Sequence, residues 1–200
     1  PRLRIEILPI TTHGDRILDR PLRAVGGKGL FIKELEVALK ENRADIAVHS
    51  MKDVPAEIPG GLHIPAILVR EDPRDVLLTN KGATLDEIPE MSRIGTSSLR
   101  RRGQILSRRD DLILCDLRGN VPTRIEKLET GMFDAIVLAA AGLRRLGLLR
   151  ENYQFLGLEV MLPAIGQGAI GIECRQEDES IGELLDPLND AATSFCVGAE

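Results

Sequence analysis

Aromatic side chains are scarce in this chain. Its 200 residues include four Phe, one Tyr and no Trp. Proteins that bind single-stranded nucleic acids stack the bases on aromatic rings. With so few rings available, we expect no nucleic acid partner.

Cysteines are few, and long apolar runs are missing. Cys115, Cys174 and Cys196 are odd in number, far apart and without metal-ligand spacing. This usage is typical of reduced, mostly buried thiols in a cytoplasmic protein, and we expect no metal site. Since there is no run of about 18 apolar residues and no visible basic-then-apolar leader, no membrane partner is expected.

Positive charge is concentrated in one part of an acidic chain. The net charge is −5, yet residues 93–150 contain 12 Lys or Arg against 6 Asp or Glu. A basic segment inside an acidic protein favours a local anion site over a general polyanion-binding surface.

Strand-like and helix-like segments alternate along the sequence. Predicted strands cover residues 3–10, 45–49, 66–69, 76–79, 93–96, 112–117, 135–139 and 169–173. Predicted helices cover residues 30–41, 98–108, 141–148 and 181–188, and a further helix has Asn120 as N-cap and Pro122 in its first turn. Residues 11–28 are expected to form a mobile loop. This alternation predicts an α/β fold with parallel sheets and helices on their faces.

Residues 95–102, Gly-Thr-Ser-Ser-Leu-Arg-Arg-Arg, are the most informative stretch. A strand end is followed by Ser97 or Ser98 as helix N-cap, whose helix presents free N–H groups and a positive dipole end. Three arginines at that end are electrostatically unfavourable unless an anion binds there. The alternative is a solvated basic turn.

Polar clusters follow four of the predicted strands. They occupy residues 50–55, 97–101, 118–124 and 140–145. Ligands of such sheets bind beyond the carboxyl ends of the strands, often in a cleft between two units. One acid–base pair, Lys52 and Asp53, and three arginine-bearing turns therefore predict a site for a multiply anionic ligand.

Seven segments, in order, carry a resemblance to a known family. They are residues 26–31 (Gly-Gly-Lys-Gly-Leu-Phe), 43–55, 70–75, 95–101, 117–121, 138–143 and 162–169. Together they make the chain resemble the porphobilinogen deaminases, also called hydroxymethylbilane synthases. That resemblance implies a transferase of porphyrin and haem biosynthesis that condenses four porphobilinogen molecules head to tail, with loss of ammonia, to give hydroxymethylbilane. It also implies a dipyrromethane cofactor held through a cysteine thioether.

The resemblance assigns roles to individual residues. Because each pyrrole carries an acetate and a propionate, planar arginine side chains suit the growing polycarboxylate. Asp53 would be the catalytic acid, which stabilises the cation left when ammonia departs. Cofactor binding is implied for Lys52, Thr96, Ser97, Ser98, Arg100, Arg101 and Arg124. Substrate binding is implied for Arg118 and Arg145, with Gln167 facing the cleft and Lys28 and Phe31 in a lid.

Some features depart from the family pattern. The family's N-terminal Thr-Arg-x-Ser-Pro-Leu-Ala motif is not found, and the first sheet is therefore expected to have an exposed edge. None of the three cysteines matches the family's cofactor-bearing Gly-Gly-Cys turn, so these 200 residues alone are expected to be inactive. In the lid, His13 and Ala24 stand where the family commonly has Arg and Lys, with Arg23 as a possible substitute.

The implied architecture is a pair of type II periplasmic-binding-protein-like α/β domains with an interdomain cleft. We expect residues 1–69 plus 168–190 to form the first domain and 74–163 the second, with 191–200 beginning a third, α+β domain that is essentially absent. The protein is expected to be a monomer that takes porphobilinogen as its small-molecule partner. A periplasmic-type binding protein for a small carboxylate, or a regulatory ligand sensor, would also account for the arginines but not for the whole ordered set of segments.

Overall fold

The computed structural model describes residues 3–12, 32–80 and 82–200. Eight strands lie in these ranges: β1 (Ile46–Ser50), β2 (Leu62–Ile67), β3 (Asp75–Thr79), β4 (Arg93–Gly95), β5 (Ile113–Cys115), β6 (Ala135–Ala139), β7 (Gln154–Phe155) and β8 (Ile170–Arg175). Six α-helices accompany them: α1 (Lys33–Lys40), α2 (Leu99–Arg108), α3 (Val121–Glu129), α4 (Ala140–Arg145), α5 (Glu179–Leu185) and α6 (Ala191–Ala199). Single 3₁₀ turns cover Met51–Asp53 and Asp186–Leu188. Within the described ranges, no helix is long and apolar enough to cross a membrane.

The chain divides into two compact units. The first contains Pro1–Val69 and Ile170–Ala199, and the second contains Arg70–Ala169 with Glu200. Helix α6, within the segment expected to begin a third domain, belongs to the first unit.

The first unit is built on a three-stranded sheet in the order β1-β8-β2. β8 is antiparallel to both neighbours, with His49 opposite Gly171 and Ala47 opposite Glu173. Because side chains alternate across a strand, the sheet has two faces. One packs against α1 through Leu39, Ala47 and Leu62, and the other contains Ala66, Ile172 and Cys174 with Leu185 of α5.

The second unit contains a five-stranded mixed sheet in the order β5-β4-β6-β3-β7. The central strand β6, Ala-Ile-Val-Leu-Ala, is apolar along its whole length because both of its faces are covered. Val76, Leu78 and Ile136 join a cluster with α3 and α4. Leu77, Val137 and Ile94 join a second cluster with Ile105 of α2. This doubly covered sheet is the larger apolar core and supports the basic turn that follows β4.

Two sequence expectations about strands are wrong. Residues 3–12 form no regular element, and residues 3–9 are exposed. An alternating segment becomes a strand only where a neighbour supplies hydrogen bonds and covers its apolar side, and the described residues give this one no such neighbour.

The sheets are also not purely parallel. β3 and β8 each run against both of their neighbours. A parallel connection needs a crossover of a dozen or more residues, usually a helix. No α-helix directly precedes either β3 or β8. The alternation of strands and helices therefore gives no reason for these two strands to be parallel to their neighbours.

Candidate functional site

Ser98 is the N-cap of α2. Its hydroxyl oxygen accepts a hydrogen bond from the Arg101 N–H at 3.4 Å, and the buried Thr96 hydroxyl accepts one from the Ser98 N–H at 3.3 Å. The helix begins at Leu99 with no acidic residue in its first turn. Ser98, not Ser97, therefore starts the helix, and its positive end is left without a carboxylate of its own.

Ser97 joins the ends of two strands. Its hydroxyl donates to the Leu117 carbonyl at 2.9 Å and accepts from the Leu117 N–H at 3.0 Å. The Thr96 N–H donates to the Cys115 carbonyl at 2.8 Å. These bonds hold the turn after β4 beside the turn after β5.

Arg101 points into the core of the second unit. Its guanidinium donates to Asp75 Oδ1 from Nη2 at 2.7 Å and from Nε at 3.1 Å, and to the Val137 carbonyl at 2.9 Å. The side chain of Arg101 is 8% exposed and that of Asp75 is fully buried. These contacts do not use all of the N–H donors of the guanidinium.

Arg100 forms an ion pair with the other oxygen of the same carboxylate, and this oxygen accepts no hydrogen bond of good geometry from the described residues. Its Nη2 lies 2.8 Å from Asp75 Oδ2, and its Nη1 donates to the Leu162 carbonyl. The Nε of Arg100 is buried and has no hydrogen-bond partner among the described residues.

Two guanidiniums therefore face a single carboxylate. Burial alone would raise the pKa of Asp75, but the charge and hydrogen bonds of Arg101 and the charge of Arg100 outweigh it, and the pKa lies below its ordinary value. With Asp75 ionised, the group keeps one net positive charge at the start of α2. Such a group can bind an anion.

Gln167 is part of this buried network. It is 1% exposed, and its amide donates to the Pro73 carbonyl at 2.6 Å and to Asp75 Oδ1 at 3.0 Å. Gln167 therefore helps to hold Asp75 in place.

A second basic turn follows β5. Asn120 caps α3 by accepting from the Thr123 N–H at 2.9 Å, as the sequence predicts, and Pro122 lies in the first turn. Arg124 donates from Nε to the Gly119 carbonyl at 2.6 Å, and the Arg118 carbonyl accepts from Lys127 at 2.9 Å. Arg118 and Arg124 are half-buried on this turn.

Arg145 lies at the end of α4. It is exposed, and its Nη2 donates to the Gly168 carbonyl at 2.7 Å. The second unit thus carries the arginines, the three hydroxyl residues and Gln167 of the predicted site.

The first unit carries the predicted acid–base pair. Lys52 and Asp53 lie on the 3₁₀ turn that directly follows β1, where Lys52 is half-buried and Asp53 is exposed. Next to the turn, His49 Nε2 lies 2.8 Å from Glu173 Oε2, and both side chains are buried. Lys28, Phe31 and the other predicted lid positions lie outside the described residues.

Neither the role of Asp75 nor the pairing of Glu173 with His49 was predicted from the sequence. A usable signal existed for Asp75, because a carboxylate at the start of the otherwise apolar run Asp-Val-Leu-Leu-Thr needs a buried cation. Glu173 had a weaker signal, since it interrupts the apolar strand Ile-Gly-Ile-Glu-Cys.

The fold places the chain in a structural class. The chain is an α/β protein of the type II periplasmic-binding-protein-like class. A probable amino-acid ABC transporter extracellular-binding protein, ytmK, from Bacillus subtilis aligns with it at a TM-score of 0.50 and 12% identity, over 78% of this chain and 68% of that one. The periplasmic VFT2 domain of Bordetella pertussis BvgS aligns at a TM-score of 0.48 and 12% identity, over 84% and 72% of the two chains.

The family is shown by the sequence itself. A family profile described as porphobilinogen deaminase, dipyromethane cofactor binding domain, matches residues 2–183. The chain belongs to the porphobilinogen deaminase family, whose members act in tetrapyrrole biosynthesis and bind a dipyrromethane cofactor.

Proposed function

We propose that this chain carries the dipyrromethane-binding and catalytic parts of a hydroxymethylbilane synthase, a transferase. The reaction joins four porphobilinogen molecules head to tail, with one ammonia lost at each condensation. The observation that carries the proposal is the positively charged group of Arg100, Arg101 and Asp75 at the capped start of α2.

The residues present fit the cofactor. A dipyrromethane built from porphobilinogen bears several carboxylates, and guanidiniums bind carboxylates in planar, bidentate pairs. Arg100 supports a ligand at this position, because its side chain is 24% exposed and its charge is shared with Arg101 over a single carboxylate. When bound, the dipyrromethane supplies the nucleophilic pyrrole carbon on which the chain grows.

Individual roles follow for the basic turns. Arg100 and Arg124 would bind cofactor carboxylates directly. Arg101, which is buried and paired with Asp75, would contribute its positive charge and its remaining N–H donors. Thr96 and Ser98 would donate their hydroxyl protons to the same carboxylates at the helix start, since the backbone N–H of Thr96 is bonded to the Cys115 carbonyl and that of Ser98 to the Thr96 hydroxyl. Lys52 is proposed as a further cofactor-binding residue. Ser97 would contribute through its N–H, since its hydroxyl is bonded to Leu117.

Asp53 would carry out the proton transfers. In this role the carboxyl group donates a proton to the substrate amino group as the C–N bond breaks, and ammonia departs. The resulting carboxylate stabilises the cation left on the pyrrole methylene carbon and accepts a pyrrole N–H hydrogen bond. After the new C–C bond forms, the carboxylate accepts the proton lost from the ring carbon.

The substrate carboxylates would be bound by Arg118 and Arg145. Substrate binding is also proposed for Lys28 and Phe31, which lie outside the described residues. Gln167 would contribute through Asp75. We further propose a monomeric, cytoplasmic enzyme that binds porphobilinogen and neither nucleic acid nor membrane. By themselves these 200 residues would be inactive, because none of their cysteines matches the one that carries the cofactor.

The test uses the protein purified with its natural termini and incubated with porphobilinogen. We expect ammonia release and a linear tetrapyrrole product. Asp53→Asn should lower kcat by about 10²–10⁴-fold with an unchanged thermal midpoint. The matched control is Asp110→Asn, an exposed carboxylate two residues after the end of α2, which should keep the wild-type rate.

The alternative is a periplasmic-type protein that binds a small carboxylate. Saturable binding of porphobilinogen or another carboxylate, with no ammonia released by the wild-type protein, would overturn the enzyme and support that alternative.

A further inference from the structure

The 3₁₀ turn that carries Asp53 lies against one face of β8. His49, the second-last residue of β1, is directly opposite Gly171, and Ala47 is opposite Glu173. Directly opposed residues and residues two apart share a face, so His49, Gly171 and Glu173 lie on the same side of the sheet. Ala47 packs against α1 on that side.

Two contacts along β8 fix the end of β1. The first is the His49–Glu173 pair, 2.8 Å between Nε2 and Oε2, with side chains 4% and 3% exposed. The second is Met51, whose sulfur lies so close over Gly171 that a methyl group at residue 171 would be 2.3 Å from it. Met51 is the first residue of the turn, and its carbonyl accepts from the Val54 N–H at 3.2 Å.

The pair is not explained by stability alone. Removing two ionisable groups from water is unfavourable, and well-packed apolar residues at such positions are often as stabilising or more so. A further carboxylate, that of Glu36 on α1, lies near Glu173. Its pKa is raised, chiefly by burial and in second place by the negative charge of Glu173. The pair fixes the position of the end of β1. A buried hydrogen bond between two side chains has a defined geometry, whereas apolar packing allows small shifts.

We propose that the buried His49–Glu173 pair and the seating of Met51 on Gly171 position the Asp53 turn for catalysis. His49 and Glu173 are positioning residues that act through Asp53 without touching the substrate. The inference rests on the proposed function, in which Asp53 transfers the protons. A displacement of about 1 Å at a catalytic group can lower a rate by about 10²-fold, so the loss of one buried contact is enough to matter.

The experiment compares His49→Leu with His49→Gln in the protein with its natural termini. His49→Leu should lower kcat roughly 10- to 100-fold and leave KM within about twofold. The amide of Gln can reach Glu173 in place of Nε2, so His49→Gln should recover most of the rate. Hydrogen exchange at the Lys52–Val54 amides should be faster in His49→Leu than in His49→Gln.

The matched control is His63→Leu. His63 lies on β2 of the same sheet and contacts Cys174, which is on the opposite side of β8 from Glu173. We expect this variant to lower stability without changing kcat or the exchange of the Asp53 turn.

A second pair of variants covers the case in which His49→Leu does not fold. Gly171→Ala should displace Met51 and lower kcat, and Met51→Ala, which removes the same contact without a clash, should lower kcat as well. Wild-type kcat in His49→Leu, or equal losses in His49→Leu and His49→Gln, would overturn the positioning role. If the wild-type protein releases no ammonia, the proposed function fails, and the exchange measurement alone decides whether His49 orders the turn.

Discussion

Asp75 holds two arginines at the start of α2 although its own side chain is fully sealed from solvent. Asp75→Asn keeps the shape of the side chain but leaves the buried Arg101 guanidinium without a charged partner. Breaking a buried ion pair from one side costs about 3–5 kcal/mol. Urea unfolding at neutral pH should show a loss of this size. Asp86→Asn, which removes the partner of Arg108 from an exposed pair, should show little change.

The same carboxylate predicts a dependence on acid. Because the pKa of Asp75 is lower in the folded protein than in the unfolded chain, its contribution to stability is complete above the unfolded value of about 3.9. That contribution is lost as the pH falls toward the folded value. Between about pH 5 and about pH 3, the wild-type unfolding free energy should therefore fall more steeply than that of Asp75→Asn. Parallel curves for the two proteins would contradict this assignment.

At the scale of elements, Gly168 adopts a conformation that requires glycine. Its φ is +93°, and a Cβ would lie 2.3 Å from the backbone oxygen of Glu71. Gly168→Ala must move the backbone as well as strain φ, so we expect a loss of several kcal/mol or failure to fold, since strained φ alone costs about 1–3 kcal/mol.

Gly147 provides the matched comparison. It also has a positive φ, +65°, but the space around its missing Cβ is open. Gly147→Ala should lose only about 1–2 kcal/mol, the strain of the left-handed conformation. Equal thermal midpoints for the two variants would show that the Glu71 backbone yields to the added methyl group.

The elements that the sequence predicted well are those set by local chemistry. Asn120 and Pro122 start α3 through a cap and a fixed φ, and β6 spans residues 135–139 as the apolar run indicated. Strand direction depends instead on distant pairing, which is why the antiparallel β3 and β8 were missed. The prediction of a strand over residues 3–10 was wrong for the same reason. The alternation of apolar and polar residues does not show whether a neighbouring strand is available to pair with the segment.

In the candidate site too, features set by neighbouring residues were predicted and contacts between distant residues were not. A serine followed by arginines indicated a capped basic turn from residues adjacent in the chain. Asp75 is 25 residues before Arg100 and Glu173 is 124 residues after His49, so neither contact has a local signature. Buried carboxylates in apolar strands are the signal that a sequence can still offer.

At the scale of the whole molecule, the proposed thioether to the cofactor restricts which thiol can carry it. A thioether forms from a thiolate, so an attachment cysteine must be accessible and readily ionised. Cys174 is fully buried, its sulfur is 3.3 Å from His63 Nε2, and burial raises its pKa. Cys115 is half-buried on β5, and Cys196 is exposed on α6.

If the proposed function is correct, none of these three cysteines carries the dipyrromethane. The intact mass of the protein with natural termini should exceed the mass of its polypeptide by two linked pyrrole units. Cys115→Ala, Cys174→Ala and Cys196→Ala should each retain that excess, because the attachment point matches none of them. Loss of the excess in Cys196→Ala, with the fold intact by circular dichroism, would place the cofactor on α6 and reassign the attachment. An unmodified wild-type mass, from cells that make porphobilinogen, would favour a binding protein on the same fold.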